Sequence, residues 1–94
     1  MQRVFREGRP INGNRIVLFV APGSGGTALV AGRKVGSAVE RNRARRILRA
    51  ALREVAPTGV EGRDVVVVAR ESIRGAGSPD LVEEIRGLLA EVTA

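Results

Sequence analysis

Apolar and polar positions change rhythm several times along this chain, and each rhythm predicts an element. Residues 15–21 (RIVLFVA) and 27–31 (TALVA) are short, β-branched apolar runs separated by the turn-rich residues 22–26 (PGSGG), which predicts two strands joined as a β-hairpin. Residues 64–69 (DVVVVA) form a continuous valine run, the mark of a strand covered on both faces. Between them Ala44, Ile47, Leu48, Ala51, Leu52 and Val55 recur at three- and four-residue spacing and so share one side of a helix. Ser37 with Glu40 three residues on forms a capping box that starts this helix, and Pro57 stops it. The last segment opens with Ser78 as N-cap and Pro79 at the first helical position. Leu81, Val82, Ile85, Leu88, Leu89 and Val92 then make it a second amphipathic helix. Turn-rich residues 22–26, 57–62 and 75–79 punctuate the chain without any shift in composition, so residues 1–94 read as a single domain.

Composition narrows the chemistry. A domain of 94 residues buries about two-thirds of its unfolded surface and holds one modest core. Cysteine and histidine are absent, which removes disulfides, Cys/His metal sites and any mechanism that uses a thiolate or an imidazole. No apolar run approaches the ~20 residues that span a bilayer, and the N-terminus MQRVFREGRP lacks the apolar core of a secretory signal. A cytoplasmic protein is expected.

Charge is the strongest signal. The net charge is +6, and eight of the sixteen basic residues lie between Arg33 and Glu54 against two acids, while the rest of the chain is balanced. On a helical wheel Asn42, Arg45, Arg46, Arg49 and Arg53 fall opposite the apolar stripe, with Arg41 and Arg43 flanking it near the N-terminus. This exposed row runs for roughly 16 Å at 1.5 Å per residue, long enough to face several phosphates. A solvated helix face ordinarily pairs acids with bases at i,i+4, whereas Arg41, Arg45, Arg49 and Arg53 repeat at that spacing with no acid among them. Arginine also offers a planar fork that binds phosphate oxygens through two bonds at once. Together these favour a polyanion over a merely solvated face. A membrane surface fits less well, because the apolar side is small, alanine-rich and without Trp or Phe.

Other features have plainer explanations. Gly23-Ser24-Gly25-Gly26 is similar to a phosphate-binding loop but lacks the following Lys and Ser/Thr, and a hairpin turn accounts for it. Asp64 and Asp80 would be the metal-binding acids of a self-sufficient nuclease; equally, Asp64 begins a strand and Asp80 suits the first turn of a helix. Phe5 and Phe19, the only aromatics, fit ordinary core burial.

Residues 34–46 (KVGSAVERNRARR), with Arg49 following, resemble the signature of the bacterial ribonuclease P protein subunit: a Lys, a Gly, an Ala-Val pair, Arg-Asn-Arg, two basic residues and a further Arg. Residues 4–8 (VFREG) resemble the end of that family's N-terminal helix, residues 16–19 its aromatic-bearing strand, and residues 64–70 its late strand ending in Ala-Arg. The resemblance covers nearly the whole chain. It departs in a short first helix and in Val30-Ala31-Gly32, where family members more often carry serines.

The resemblance implies an α+β two-layer sandwich of order α-β-β-β-α-β-α, with a four-stranded sheet and a left-handed βαβ crossover carrying the Arg-Asn-Arg helix, like the second domain of a small-subunit ribosomal protein. It implies a protein, monomeric in a 1:1 ribonucleoprotein, that binds the catalytic RNA of ribonuclease P through Arg33, Lys34, Arg41, Asn42, Arg43, Arg45, Arg46, Arg49 and Arg53. Phe5, Ile16, Phe19 and Arg70 would line a cleft for the 5′ leader of precursor tRNA. The RNA, with bound Mg2+, would cut the leader away, and the protein alone would be inactive. A general RNA-binding module, ribosomal or chaperone-like, is the rival reading.

Overall fold

The structure is a computed structural model that describes residue 6, residues 8–56 and residues 62–93. Four strands, β1 (Arg9–Asn12), β2 (Ile16–Pro22), β3 (Thr27–Ala31) and β4 (Arg63–Ala69), form one mixed sheet in the order β1-β2-β4-β3. Two helices, α1 (Ala38–Val55) and α2 (Ser78–Thr93), pack on one face of it. This is the expected α+β class and strand count. Of residues 4–8, where the expected first helix ends, Arg6, helical, and Gly8, in a bend, are among the described residues.

Strand alternation decides what each layer contains. Ile16, Leu18 and Val20 of β2 and Val65, Val67 and Ala69 of β4 point toward the helices, where they meet Leu48, Ala51 and Leu52 of α1 and Leu81, Ile85 and Leu88 of α2. Val66 and Ala21 point the other way, among the half-buried Phe19, Ala28, Val30 and Val68. The valine run is therefore covered on both faces, as its sequence predicts, and it has a neighbouring strand on each edge.

That placement overturns the expected hairpin between residues 15–21 and 27–31. β2 pairs antiparallel with β4, and β3 pairs parallel with β4 on its other side, so β4 separates the two. The antiparallel hairpin is instead β1–β2, closed at Gly13, whose N–H donates to the Ile16 carbonyl at 2.8 Å. A strand able to bury both faces gains most at the centre, and the Gly-rich connection is long enough to pass over its start. Asp64, 9% exposed, organises that passage: its carboxylate accepts from the N–H groups of Ser24 (3.2 Å) and Gly26 (2.9 Å). Gly23 is required there, because a Cβ at that position would collide with the Asp64 carboxylate.

The helix ends follow the sequence closely. Ser37 caps α1, its side chain accepting from the Glu40 N–H at 3.3 Å while the Glu40 carboxylate accepts from the Ser37 N–H at 3.4 Å. Pro57, expected to stop this helix, lies outside the described residues. α2 starts one residue earlier than expected: Ser78 is already helical, and the Asp80 carboxylate accepts from the Gly77 N–H at 2.9 Å. Serine at 78 is followed by proline, so the cap passes to the residue before it and to the acid three further on. Leu81, Val82, Ile85 and Leu88 are buried and Leu89 partly so; the side chain of Val92 lies outside the described residues. On the flank of the buried stripe of α2, the Glu84 carboxylate, whose side chain is only 10% exposed, accepts from the N–H groups of Arg15 (2.9 Å) and Ile16 (3.2 Å), tying the helix to the β1–β2 turn.

Candidate nucleic-acid interface

α1 is held against the sheet by Ala44, Leu48, Ala51 and Leu52, with Ile47 and Val55 partly buried beside them. This fixes which side chains can reach a partner. Asn42, Arg46, Arg49 and Arg53 lie on the outer face and are exposed, as are Arg43 and, in the turn Arg33–Val35 that precedes the helix, Arg33 and Lys34. Arg46, Arg49 and Arg53 make no hydrogen bond or ion pair with the described residues. Arg41 and Arg45 are half-buried, nearer the core than the wheel suggests for Arg45. The Arg45 guanidinium donates to the Asn42 side-chain oxygen at 2.7 Å, which orients the amide. Arg43 reaches sideways and donates to the Ala76 carbonyl at 3.3 Å, so it also braces the loop before α2.

The N-terminal end of α1 is built around Gly36 and Glu40. Gly36 has φ 137°, a conformation that favours glycine, and a Cβ there would meet the Glu40 carboxylate. The same carboxylate takes Arg74 at 2.7 Å. Arg74 is the residue that sequence reasoning missed. Parallel pairing aligns Ala31 with Ala69, so the turn after β3 and the turn after β4 leave the sheet side by side. Arg74 thereby joins the basic end of α1. Its position in the sequence, thirty-four residues from Glu40, carries no such signal without the strand order.

The sheet face away from the helices is a second candidate surface. Phe19 is half-buried there, with Ala28, Val30 and Val68 beside it. Arg70, two residues beyond Val68, stands exposed at the end of this face, where its guanidinium donates to the Asn12 side chain at 2.9 Å. About 13 Å of strand separates Arg70 from Val66, the partner of Phe19, at ~3.3 Å per residue. Ile16 does not belong to this surface. It is 0% exposed and turned toward the helices, because it lies three residues from Phe19 and strand side chains alternate. Phe5 lies outside the described residues.

The two acids considered as metal ligands are both engaged in the fold: Asp64 in the Gly-rich loop and Asp80 at the start of α2. Among the described residues no three acidic side chains gather as a metal site, and no helix is long and apolar enough to cross a membrane.

Known proteins resemble the chain in both sequence and fold. The profile of the family described as Ribonuclease P matches residues 1–93. The ribonuclease P protein component of Symbiobacterium thermophilum is 36% identical over 91 residues, covering 93% of this chain and 79% of that protein. That of Chloroflexus aurantiacus is 37% identical over 94 residues, covering 96% and 70%. Among solved structures, the RNase P protein of Thermotoga maritima superposes with a TM-score of 0.80 at 24% identity, over 96% of this chain and 88% of that one. The RNase P protein of Staphylococcus aureus gives 0.79 at 19% identity, over 97% and 86%. With the profile spanning all but the last residue, and relatives 36–37% identical matched over more than two-thirds of their length, the chain belongs to the ribonuclease P protein family.

Proposed function

We propose that this chain is the protein subunit of a ribonuclease P ribonucleoprotein, and that it grips the catalytic RNA through the outer face of α1 while the sheet face away from the two helices receives the 5′ leader of precursor tRNA. The observation that carries the reading is the row Arg46, Arg49 and Arg53, exposed and without partners among the described residues, inside the Lys34–Arg49 motif. Three guanidinium groups spaced along one helix face can each replace a condensed counterion on a phosphate, and Arg33 and Lys34 extend the row past the helix start. On the other surface Phe19 offers a flat ring to an unstacked base and Arg70 a charge to its phosphate.

In this reading the RNA supplies the reaction centre, with Mg2+ bound mainly by RNA. The chain's own contribution is binding and orientation, since Asp64 and Asp80 are committed to backbone N–H groups. The protein works as a monomer in a 1:1 assembly in the cytoplasm. A general RNA-binding module would use the same arginine row, so selectivity separates the two readings. Labelled catalytic RNA is titrated with protein in the presence of excess unrelated structured RNA of similar length. Retention of the labelled complex supports the subunit reading; loss of the complex in proportion to competitor mass supports the general module.

A further inference from the structure

Val39 is the only large hydrophobic residue that stands exposed among the described residues, at 77%. It lies in the first turn of α1, opposite the buried stripe, and it heads the row that continues through Asn42, Arg46, Arg49 and Arg53. Nothing in the fold accounts for it. The helix is capped by Ser37 and Glu40 without its help, and a β-branched residue is a poorer helix former than alanine or glutamate. An isolated exposed valine is unremarkable on a neutral surface. This one sits inside a cationic field made by Arg33, Lys34, Arg43 and Arg46, all exposed.

Phosphate contacts position a protein on RNA, whereas contacts to bases and riboses distinguish one site from another. We infer that Val39 is an apolar contact residue of the RNA interface, packing against the ribose or base face of an unpaired nucleotide whose flanking phosphates are held by the neighbouring basic side chains. The charge around it selects RNA as the occupant over a second copy of this chain, which would bring the same positive face against itself. Asn42, three residues on along the same helix face, is exposed, and because Arg45 donates to its side-chain oxygen at 2.7 Å, its amide N–H groups are the donors it can present to an RNA partner. This inference rests on the arginine face being the RNA-binding face.

The test compares Val39→Ala, Val39→Ile and Arg46→Ala in titrations against the catalytic RNA at several salt concentrations. Val39→Ala preserves or improves helix propensity, so the variant folds, and Val39→Ile keeps the apolar contact. Val39→Ala should weaken binding about fivefold at every salt concentration with an unchanged log–log slope, since no ion pair is lost. Val39→Ile should bind as wild type does, and Arg46→Ala should lower the slope. If Val39→Ala binds like wild type while Arg46→Ala is impaired, Val39 is an idle surface residue and the inference is overturned, with the function intact. A lowered slope in Val39→Ala would overturn it too, because the effect would then act through the arginines. Wild-type binding by both Val39→Ala and Arg46→Ala would remove the arginine-face reading itself. Sedimentation of the free proteins completes the comparison: a wild-type dimer that Val39→Ala converts to monomer would assign the residue to self-association instead.

Discussion

Replacing Arg46, Arg49 and Arg53 with alanine, singly and together, perturbs the proposed interface with little effect on the fold. The three side chains are exposed and make no bond to the described residues, so their removal leaves no unpaired group behind. Surface changes of this kind alter stability by at most about 0.5 kcal/mol, or roughly 2–4 °C in the melting midpoint of a domain of this size. The effect on RNA binding should be larger and of a characteristic form. Each phosphate contact contributes about 0.7–0.9 to the slope of log affinity against log salt. The triple variant should therefore lose about 2–3 units of slope if each arginine holds one phosphate. Between 50 and 200 mM salt the wild-type advantage over each single variant should shrink about threefold, because the contact that distinguishes them is ionic. Fluorescence titration against the catalytic RNA across that range, with melting curves alongside, measures both quantities. Unchanged slopes with unchanged melting would refute the argument that this face meets phosphates. Arg43→Ala is a less direct probe, since Arg43 also donates to the Ala76 carbonyl and its loss should loosen the loop before α2.

Three further outcomes follow from the geometry. Phe19→Leu keeps most of the packing against Val66 and Val68 but removes the flat ring, so catalytic-RNA binding should persist while the preference for precursor over mature tRNA falls about tenfold; an unchanged preference would make Phe19 a packing residue. Asp64→Ala leaves the Ser24 and Gly26 N–H groups without their acceptor and should cost about 2–4 kcal/mol, read as a melting midpoint lower by about 10–20 °C. Asp64→Asn retains an acceptor and should fall between it and wild type, while still supporting cleavage in the reconstituted complex; loss of cleavage with an intact fold would revive Asp64 as a metal ligand. Glu84→Ala releases the Arg15 and Ile16 N–H groups at the β1–β2 turn, and hydrogen exchange there should accelerate more than in α1.

What the sequence discloses here is mostly local. The capping box at Ser37 and Glu40, the apolar stripe of α1 and the doubly covered valine run depend on spacing within a few residues, and each stands in the structure as read. The pairing of strands depends on competition between distant segments. PGSGG is compatible with either a hairpin or a passage over a third strand, and only the burial of β4 on both edges and both faces decides between them. Two features of the candidate surfaces follow from that same choice. Arg74 reaches α1 because β3 and β4 end together, and Ile16 leaves the cleft because β2 presents alternate residues to opposite layers. The arginine face itself was legible, because helix periodicity places charge relative to the core without knowledge of topology; the half-burial of Arg45 and its bond to Asn42 required the packed helix.

The central claim is that this protein supports an RNA catalyst through the outer face of α1. Its most direct measurement is precursor-tRNA cleavage by the catalytic RNA from the same cell at low Mg2+, alone, with the wild-type protein and with the Arg46/Arg49/Arg53 triple alanine variant. The account predicts no cleavage by the protein alone, 5′-leader removal at low Mg2+ when wild-type protein joins the RNA, and a return toward the RNA-alone Mg2+ requirement with the variant. Equal rescue by the folded variant, or site-specific cleavage by the RNA-free protein that persists through purification, would contradict it.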